Sequence, residues 1–182
     1  MVFIINGYLG SGKDTFVEMV RKNWDEFKLN KPDFKNTEVI NISSIDYLKD
    51  IFKEEFRWDG SKTPELRKAL VQIHMALSEW NDLPYVLTCE RIKEEHVKGN
   101  IVFVHCREPI NIFKYSAAFQ APAIFIDNEQ AKNVVLLNKE KLTLTDLDVE
   151  NYQYNIRINN NSTFEKLDQQ AKNFIYDYVL TD

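Results

Sequence analysis

Nothing constrains this chain more than its first fifteen residues. Val2-Phe3-Ile4-Ile5 is an unbroken apolar run closed by Asn6, and Gly7-Tyr8-Leu9-Gly10-Ser11-Gly12-Lys13-Asp14-Thr15 follows at once. An apolar run of this kind suits a strand covered on both faces. The glycines permit backbone angles that a side chain forbids. Successive N–H groups can then point inward and cradle an anion. A helix starting at Lys13 would add unpaired N–H groups and the positive end of its dipole. Strand, glycine-rich turn, lysine and helix in this order are the arrangement of a phosphate-binding P-loop, with Gly7, Gly10, Ser11 and Gly12 as its cradle and Lys13 as a mobile cation for the outer phosphates. The bland alternative is a glycine-rich turn joining a strand to a helix.

The residue after the lysine departs from the usual pattern. A Ser or Thr there normally ligates Mg²⁺ through its hydroxyl; here Asp14 stands in that place and Thr15 follows. Two readings stay open. The Asp14 carboxylate holds Mg²⁺ directly or through water, or it faces away and Thr15 meets the phosphates. A carboxylate beside polyphosphate is unfavourable without a cation between them, which favours the metal role.

Downstream, apolar periodicity alternates between the two structural periods. Phe16, Val20, Trp24 and Phe27 predict a helix from Lys13 to about Leu29. Glu38–Ile42 reads as a strand, with Ser43 or Ser44 able to cap the helix that carries Ile45, Leu48, Phe52 and Phe56. Thr63-Pro64 opens a helix whose stripe is Leu66, Ala69, Leu70, Ile73, Ala76, Leu77 and Trp80. Another helix runs from Pro84 to about Lys98. Ile101–Val104 is a strand, Pro109–Phe119 a short helix and Ala123–Ile126 a strand. Asp127–Asn151 is hard to read, with a short strand possible at Val134–Leu137. Tyr154–Ile158 is the last strand, and the Ser162–Glu165 capping box opens a terminal helix with Leu167, Ala171, Phe174, Ile175 and Tyr178 on one side.

Strands alternating with helices imply parallel βαβ units. The expected fold is α/β: a three-layer P-loop NTPase fold with a mainly parallel five-stranded sheet. A length of 182 residues suits one domain, 1–182, with a helical acceptor-binding insertion at about 44–99. A net charge of −5 argues against general nucleic-acid binding. No apolar run is long enough to span a membrane. Cys89 and Cys106 lack metal-pair spacing and fit buried thiols, so a cytoplasmic address is the default.

Ligands of such sheets sit beyond the carboxyl ends of the strands. That rule selects Gly7–Thr15, Ser43–Lys49, His105–Pro109 and the loop after Ile126. No base-reading motif of a GTPase is present, and Val104 runs into His105-Cys106-Arg107-Glu108 rather than an acidic pair. A kinase with a small acceptor fits the size best. Phosphoryl transfer needs positioning and charge neutralisation above all. If the acceptor is already a phosphate, cations must hold it, and Arg is suited to that. The candidates are Arg57, Lys62, Arg67, Arg91 and Arg107, each alone more often a solvated surface residue except Arg107, which follows a buried strand. Glu108 could approach Mg²⁺ through water, orient Arg107 or cap the next helix. His74, His96 and His105 share no metal-ligand spacing; His74 reads as structural, and His105 lies near the site or packs at a strand end. Tyr8 or another aromatic could stack a nucleobase, but in so aromatic a chain a core or surface role is the stronger reading for any single one.

Gly10-Ser11-Gly12-Lys13-Asp14-Thr15 resembles the G-S-G-K-D-T loop of bacteriophage-type deoxynucleoside monophosphate kinases, where the Asp after the Lys is usual; animal-type phosphomevalonate kinases share it. Ser43-Ser44-Ile45-Asp46-Tyr47-Leu48-Lys49, Trp58-Asp59-Gly60-Ser61-Lys62 with Arg67, and Arg107-Glu108-Pro109 with Ile112 are similar to further patches of that family. The resemblance covers the chain in patches up to about Phe113. It implies ATP and Mg²⁺ at Gly7–Thr15, catalytic roles for Lys13 and Arg107, and acceptor-phosphate contacts from Lys49, Lys62, Arg67 or Arg107. Such kinases commonly carry arginines in a lid after the fourth strand, where this chain has Phe125-Ile126-Asp127-Asn128-Glu129-Gln130. Dephospho-CoA kinases resemble the chain in size and order, but the second strand here ends in Asn41-Ile42-Ser43-Ser44 rather than near an Asp. The expected function is ATP-dependent phosphoryl transfer to a small phosphorylated acceptor, foremost a nucleoside or deoxynucleoside monophosphate. The rival is a nucleotide-binding protein that has lost catalysis.

Overall fold

The computed structural model describes residues 1–61, 63–137 and 149–180, leaving aside the side chain of Arg67. Lys62, and whatever lies at 138–148, therefore fall outside the described residues. The sheet is built from β1 (Val2–Asn6), β2 (Val39–Ser43), β3 (Ile101–His105), β4 (Ala123–Asp127) and β5 (Ile156–Asn159). All pairings are parallel, and the strand order is β2-β3-β1-β4-β5. The strand that leads into the glycine-rich turn thus sits at the centre. The fold is the expected three-layer α/β P-loop type.

Alternating residues of each strand feed opposite layers. Phe3, Ile5, Phe103, Ile124, Ile126, Ile156 and Ile158 pack against α1 (Lys13–Lys28) and α7 (Phe164–Phe174), with Phe16, Val20 and Trp24 from the first and Leu167, Ala171 and Phe174 from the second. Ile175–Val179 extends α7 as a π-helical turn. Val2, Ile4, Ile42, Val102, Val104 and Ala123 face the other way, onto Cys89 and Ile92 of α4 (Leu83–Val97) and Ile112 and Tyr115 of α5 (Pro109–Phe119). Burial on both faces is why β1, β3 and β4 read as nearly continuous apolar runs. The path from β2 to β3 carries α2 (Asp46–Phe56), α3 (Pro64–Asn81) and α4.

Several local expectations shift. Val134–Leu137 is not a strand: it ends helix α6 (Glu129–Leu137), because Ala131 and Val135, one turn apart, pack with Tyr8, Phe125 and Val149. Neither Ser43 nor Ser44 caps α2. Strand β2 runs through Ser43, and α2 starts at Asp46 without a side-chain cap bond; instead the Asp46 carboxylate accepts from the Ser43 N–H at 2.7 Å. The terminal helix is capped by Thr163 rather than Ser162, its hydroxyl accepting from the Lys166 N–H. Thr63 caps α3 as expected. The α3 stripe is only partly buried: Leu70 and His74, one turn apart, face inward, while Trp80 is 74% exposed. No helix of the described residues is long and apolar enough to cross a membrane.

Candidate active site

The glycine-rich turn is held from three sides. Asn6, fully buried at the end of β1, spends its whole amide there. Its Oδ1 accepts from the Gly7 N–H at 2.8 Å, and its Nδ2 donates to the Arg107 carbonyl at 3.3 Å and to the Tyr154 hydroxyl at 2.7 Å. Leaving a buried amide unpaired costs about 1–3 kcal/mol, so this pairing fixes where β1 hands over to the turn. A Cβ on Gly7 would meet the Ile126 carbonyl oxygen and Ser11 Oγ at 2.7 Å, so only glycine fits against the end of β4. On the outer side, Asn160, beyond β5, donates its Nδ2–H to the Ser11 carbonyl at 2.8 Å.

Inside the turn, the Lys13 ammonium donates to the Gly7 and Tyr8 carbonyls at 2.7 and 2.9 Å. The Ser11 hydroxyl is buried without a hydrogen-bond partner. The first-turn N–H groups of α1 have no carbonyl available within the helix. An orphaned hydroxyl, open N–H groups and a lysine at one helix start fit a polyphosphate. Tyr8 is not free to stack a base: it is buried edge-on against Phe125, and burial, then the nearby Glu150 carboxylate, raises its pKa.

The structure turns Asp14 toward the neighbouring strand ends. Its Oδ1 accepts from Asn41 Nδ2 of β2 at 3.3 Å and lies 3.7 Å from His105 Nε2, at the end of β3. Burial lowers the His105 pKa to about 4 against the opposing pull of Asp14, so the ring is neutral at neutral pH. The distance and the neutral ring leave no ion pair. Both His105 Nε2 and Asn41 Oδ1 are buried without a hydrogen-bond partner. An exposed carboxylate with an orphaned imidazole nitrogen 3.7 Å away has donors suited to a divalent cation such as Mg²⁺, which Asp14 would hold. Thr15 is half-buried in the first turn of α1.

A second polar cluster stands at the start of α2. The Asp46 carboxylate pairs with Lys49 at 2.7 Å and with Arg91, from α4, at 3.5 Å. Two cations around one carboxylate leave a net positive charge. The His105 imidazole feels Asp14, Lys13, Asp46 and Lys49 together, so the two clusters are neighbours at the carboxyl ends of β1, β2 and β3. Behind them, the Tyr47 hydroxyl meets His74 Nδ1 at 3.4 Å; burial lowers the His74 pKa and raises that of Tyr47 to about 12.

Of the other residues singled out by sequence, Arg107 is half-buried on the loop after β3, beside Glu108. Glu108 stands at the N-cap of α5 without a side-chain cap bond, and its carboxylate lies 3.8 Å from Cys106 Sγ. Arg57 ends α2 at φ 54°, exposed, and His96 is exposed near the end of α4. Lys62 and the Arg67 side chain lie outside the described residues. Arg157 stacks over the Phe125 ring at 4.9 Å. Lys132, on α6, pairs with Glu150 at 2.8 Å. Asn6, Asn41, Asp46 and Asn160 escaped sequence reasoning. Asn6 and Asn41 had one available signal, a polar residue inside an otherwise apolar strand.

No protein-family model matches the chain, and no curated protein matches it. Among solved structures it is similar to TT1252 from Thermus thermophilus, with 16% identity over 100% of this chain and 98% of that one and a TM-score of 0.53. It is similar to a shikimate kinase from Bacteroides thetaiotaomicron (13% identity, 97% and 96% covered, TM-score 0.49) and to one from Aquifex aeolicus (11%, 100% and 100%, TM-score 0.47). At these identities the likeness speaks to the fold alone.

Proposed function

We propose that the protein transfers a phosphoryl group from ATP to a small anionic acceptor, with a nucleoside or deoxynucleoside monophosphate as the first acceptor to test. One observation carries this. Asp46 accepts from the Ser43 N–H, Ser43 is the parallel partner of His105, and His105 Nε2 lies 3.7 Å from the Asp14 carboxylate. A phosphate cradle and a second, net-cationic cluster therefore adjoin one another, as transfer between two phosphorylated molecules demands.

In this scheme the open N–H groups of the P-loop and the Ser11 hydroxyl hold the donor's phosphates. Lys13 leaves the Gly7 and Tyr8 carbonyls to follow the charge that spreads over the transferred group. Lys49 and Arg91, fixed by Asp46, bind the acceptor's charge, and Arg107, after β3, is a further candidate for it. Lys62 and Arg67 complete the candidate set. Asp14 holds Mg²⁺, which when bound neutralises phosphate charge. The test is ADP formation from ATP with each common nucleoside monophosphate, with non-phosphorylated acceptors as controls. Acceptor-dependent ADP supports the proposal; ATP binding without acceptor-dependent ADP ends it.

A second reading has its own support. Residues 108–156, which include the segment after β4, contain no arginine, and the described lysines there, Lys114 and Lys132, are engaged by Asp82 and Glu150. A nucleotide-binding protein without transfer would look like this. Thermal melting separates the two, since each ligand of the folded state raises the melting temperature. A kinase responds to ATP and to the acceptor; a sensor responds to the nucleotide alone.

A further inference from the structure

We propose that Asp14, Asn41 and His105 form a divalent-metal site with one nitrogen donor, and that this site prefers Mn²⁺ to Mg²⁺. It rests on the P-loop reading above for its location, but its metal chemistry stands on the three side chains. They come from three elements: Asp14 from the first turn of α1, Asn41 from the middle of β2 and His105 from the end of β3. The Asp14 Oδ1 to His105 Nε2 separation is 3.7 Å, and Asp14 Oδ1 to Asn41 Nδ2 is 3.3 Å. Two donors each about 2.1 Å from one cation lie roughly 3–4 Å apart, so both separations suit a shared ion.

An orphaned atom points the same way. Protein interiors rarely leave a buried polar atom without a partner. Here His105 Nε2, 3.7 Å from the Asp14 carboxylate, is in that state. A half-turn of the Asn41 amide exchanges its oxygen and nitrogen without changing its shape, and brings the oxygen to the Asp14 side. One carboxylate oxygen, one amide oxygen and one imidazole nitrogen would then be the protein donors. The Asp14 side chain is 85% exposed, which leaves its outer side open to water or phosphate oxygens.

The donor set decides the metal class. Mg²⁺ takes oxygen ligands in a strict octahedron and keeps its waters, whereas imidazole favours transition metals. Mn²⁺ accepts carboxylate and amide oxygens as Mg²⁺ does and tolerates a nitrogen as well. The loop's substitution of Asp for Ser or Thr and the strand-end imidazole thus make sense together: the carboxylate sits on the helix, and the neutral donor on the strand.

The experiment uses untagged full-length protein without nucleotide, titrated with Mn²⁺ and followed by electron paramagnetic resonance. One saturable site is expected, displaced by Mg²⁺ only at about tenfold or greater excess. Spin-echo modulation should show an imidazole nitrogen coupled to the Mn²⁺, and ¹⁵N-histidine labelling should change its frequency. His105→Gln should lose that coupling and weaken Mn²⁺ binding about tenfold or more, the scale at which altered metal-site partners act. His96→Gln should leave both unchanged. Absence of nitrogen coupling in the wild-type protein overturns the proposal, and that result does not need the variant to fold. Unchanged Mn²⁺ affinity in a folded His105→Gln also overturns it. Because no ATP is present, these outcomes are independent of whether the protein proves to be a kinase.

Discussion

Asn160 donates its side-chain amide to the Ser11 carbonyl at 2.8 Å, and the same Nδ2 fills the space a Cβ on Gly12 would need. An asparagine that follows the edge strand β5 thus packs against the outer side of the glycine-rich turn. Gly12 itself sits at φ 92°, in the left-handed region. Gly12→Ala should cost about 1–3 kcal/mol from backbone strain, with a further cost from displacing Asn160. Asn160→Ala alone should cost about 0.5–1.5 kcal/mol, the net worth of one hydrogen bond. The double variant should be less damaged than the sum, because removing the amide relieves the clash but not the strain. Denaturant unfolding of all four proteins checks this; strict additivity would mean that Asn160 does not hold the loop.

Lys13 rests on the carbonyls of Gly7 and Tyr8, partly buried against its own loop. Lys13→Ala should leave the melting temperature of the ligand-free protein within a few degrees. It should abolish both acceptor-dependent ADP formation and most of the melting shift produced by ATP. Removing a charge-assisted contact to phosphate is worth about 1.5–3 kcal/mol in binding, roughly tenfold to hundredfold. An unchanged ATP shift in a folded Lys13→Ala would remove the lysine from the phosphate site.

Arg91 reaches Asp46 from another helix, 45 positions along the chain, and with Lys49 leaves the cluster positive. If that surplus charge binds the acceptor, Arg91→Ala should raise the acceptor KM about tenfold to hundredfold while the ATP-induced melting shift stays as in the wild type. Both side chains of the Asp46–Arg91 pair are partly exposed, so stability should change by less than about 1 kcal/mol. Initial rates against acceptor concentration decide it. An acceptor KM equal to the wild type's places the acceptor's charge elsewhere.

These residues also mark the boundary of what the sequence makes legible. The P-loop is local: glycine, lysine, the preceding apolar strand and the following helix are contiguous, so spacing alone exposes it. Strands β1, β3 and β4 are legible because burial on both faces leaves nearly unbroken apolar runs, and β5 because buried and exposed residues alternate along it. Asp46 is not legible as a site residue. A carboxylate off the apolar stripe of a helix resembles any solvated one, and its partner Arg91 arrives only through packing of α4. Asn160 is 149 positions from Ser11, and nothing local signals the contact. In α6 few apolar residues are needed, since Ala131 and Val135 alone meet Tyr8 and Phe125, so Val134–Leu137 reads equally well as a strand. The α3 stripe misleads in the opposite sense. Its periodicity is sound, yet the buried line runs through Leu70 and His74 and leaves Trp80 in solvent.

His74 carries the last prediction. It is buried in α3 against the Tyr47 hydroxyl, and burial is the main cause of its lowered pKa, with the Glu108 carboxylate opposing. The sign follows from linkage. Above the ordinary histidine value of about 6.5, both the folded and unfolded chains carry a neutral ring, and the group contributes nothing to pH dependence. As pH falls below that value, the unfolded chain takes up its proton first, so stability is lost until the folded-state pKa is passed. His105, held at about 4, acts in the same direction. The wild-type protein should therefore lose stability between about pH 7 and about pH 5, and His74→Gln, which keeps a polar side chain at the Tyr47 hydroxyl, should lose less. Denaturant unfolding across that range, in chelator to remove bound metal, measures both slopes. His105 is common to the two proteins, so the difference belongs to His74. Superimposable pH profiles would mean that the His74 ring is reached by water in the folded protein.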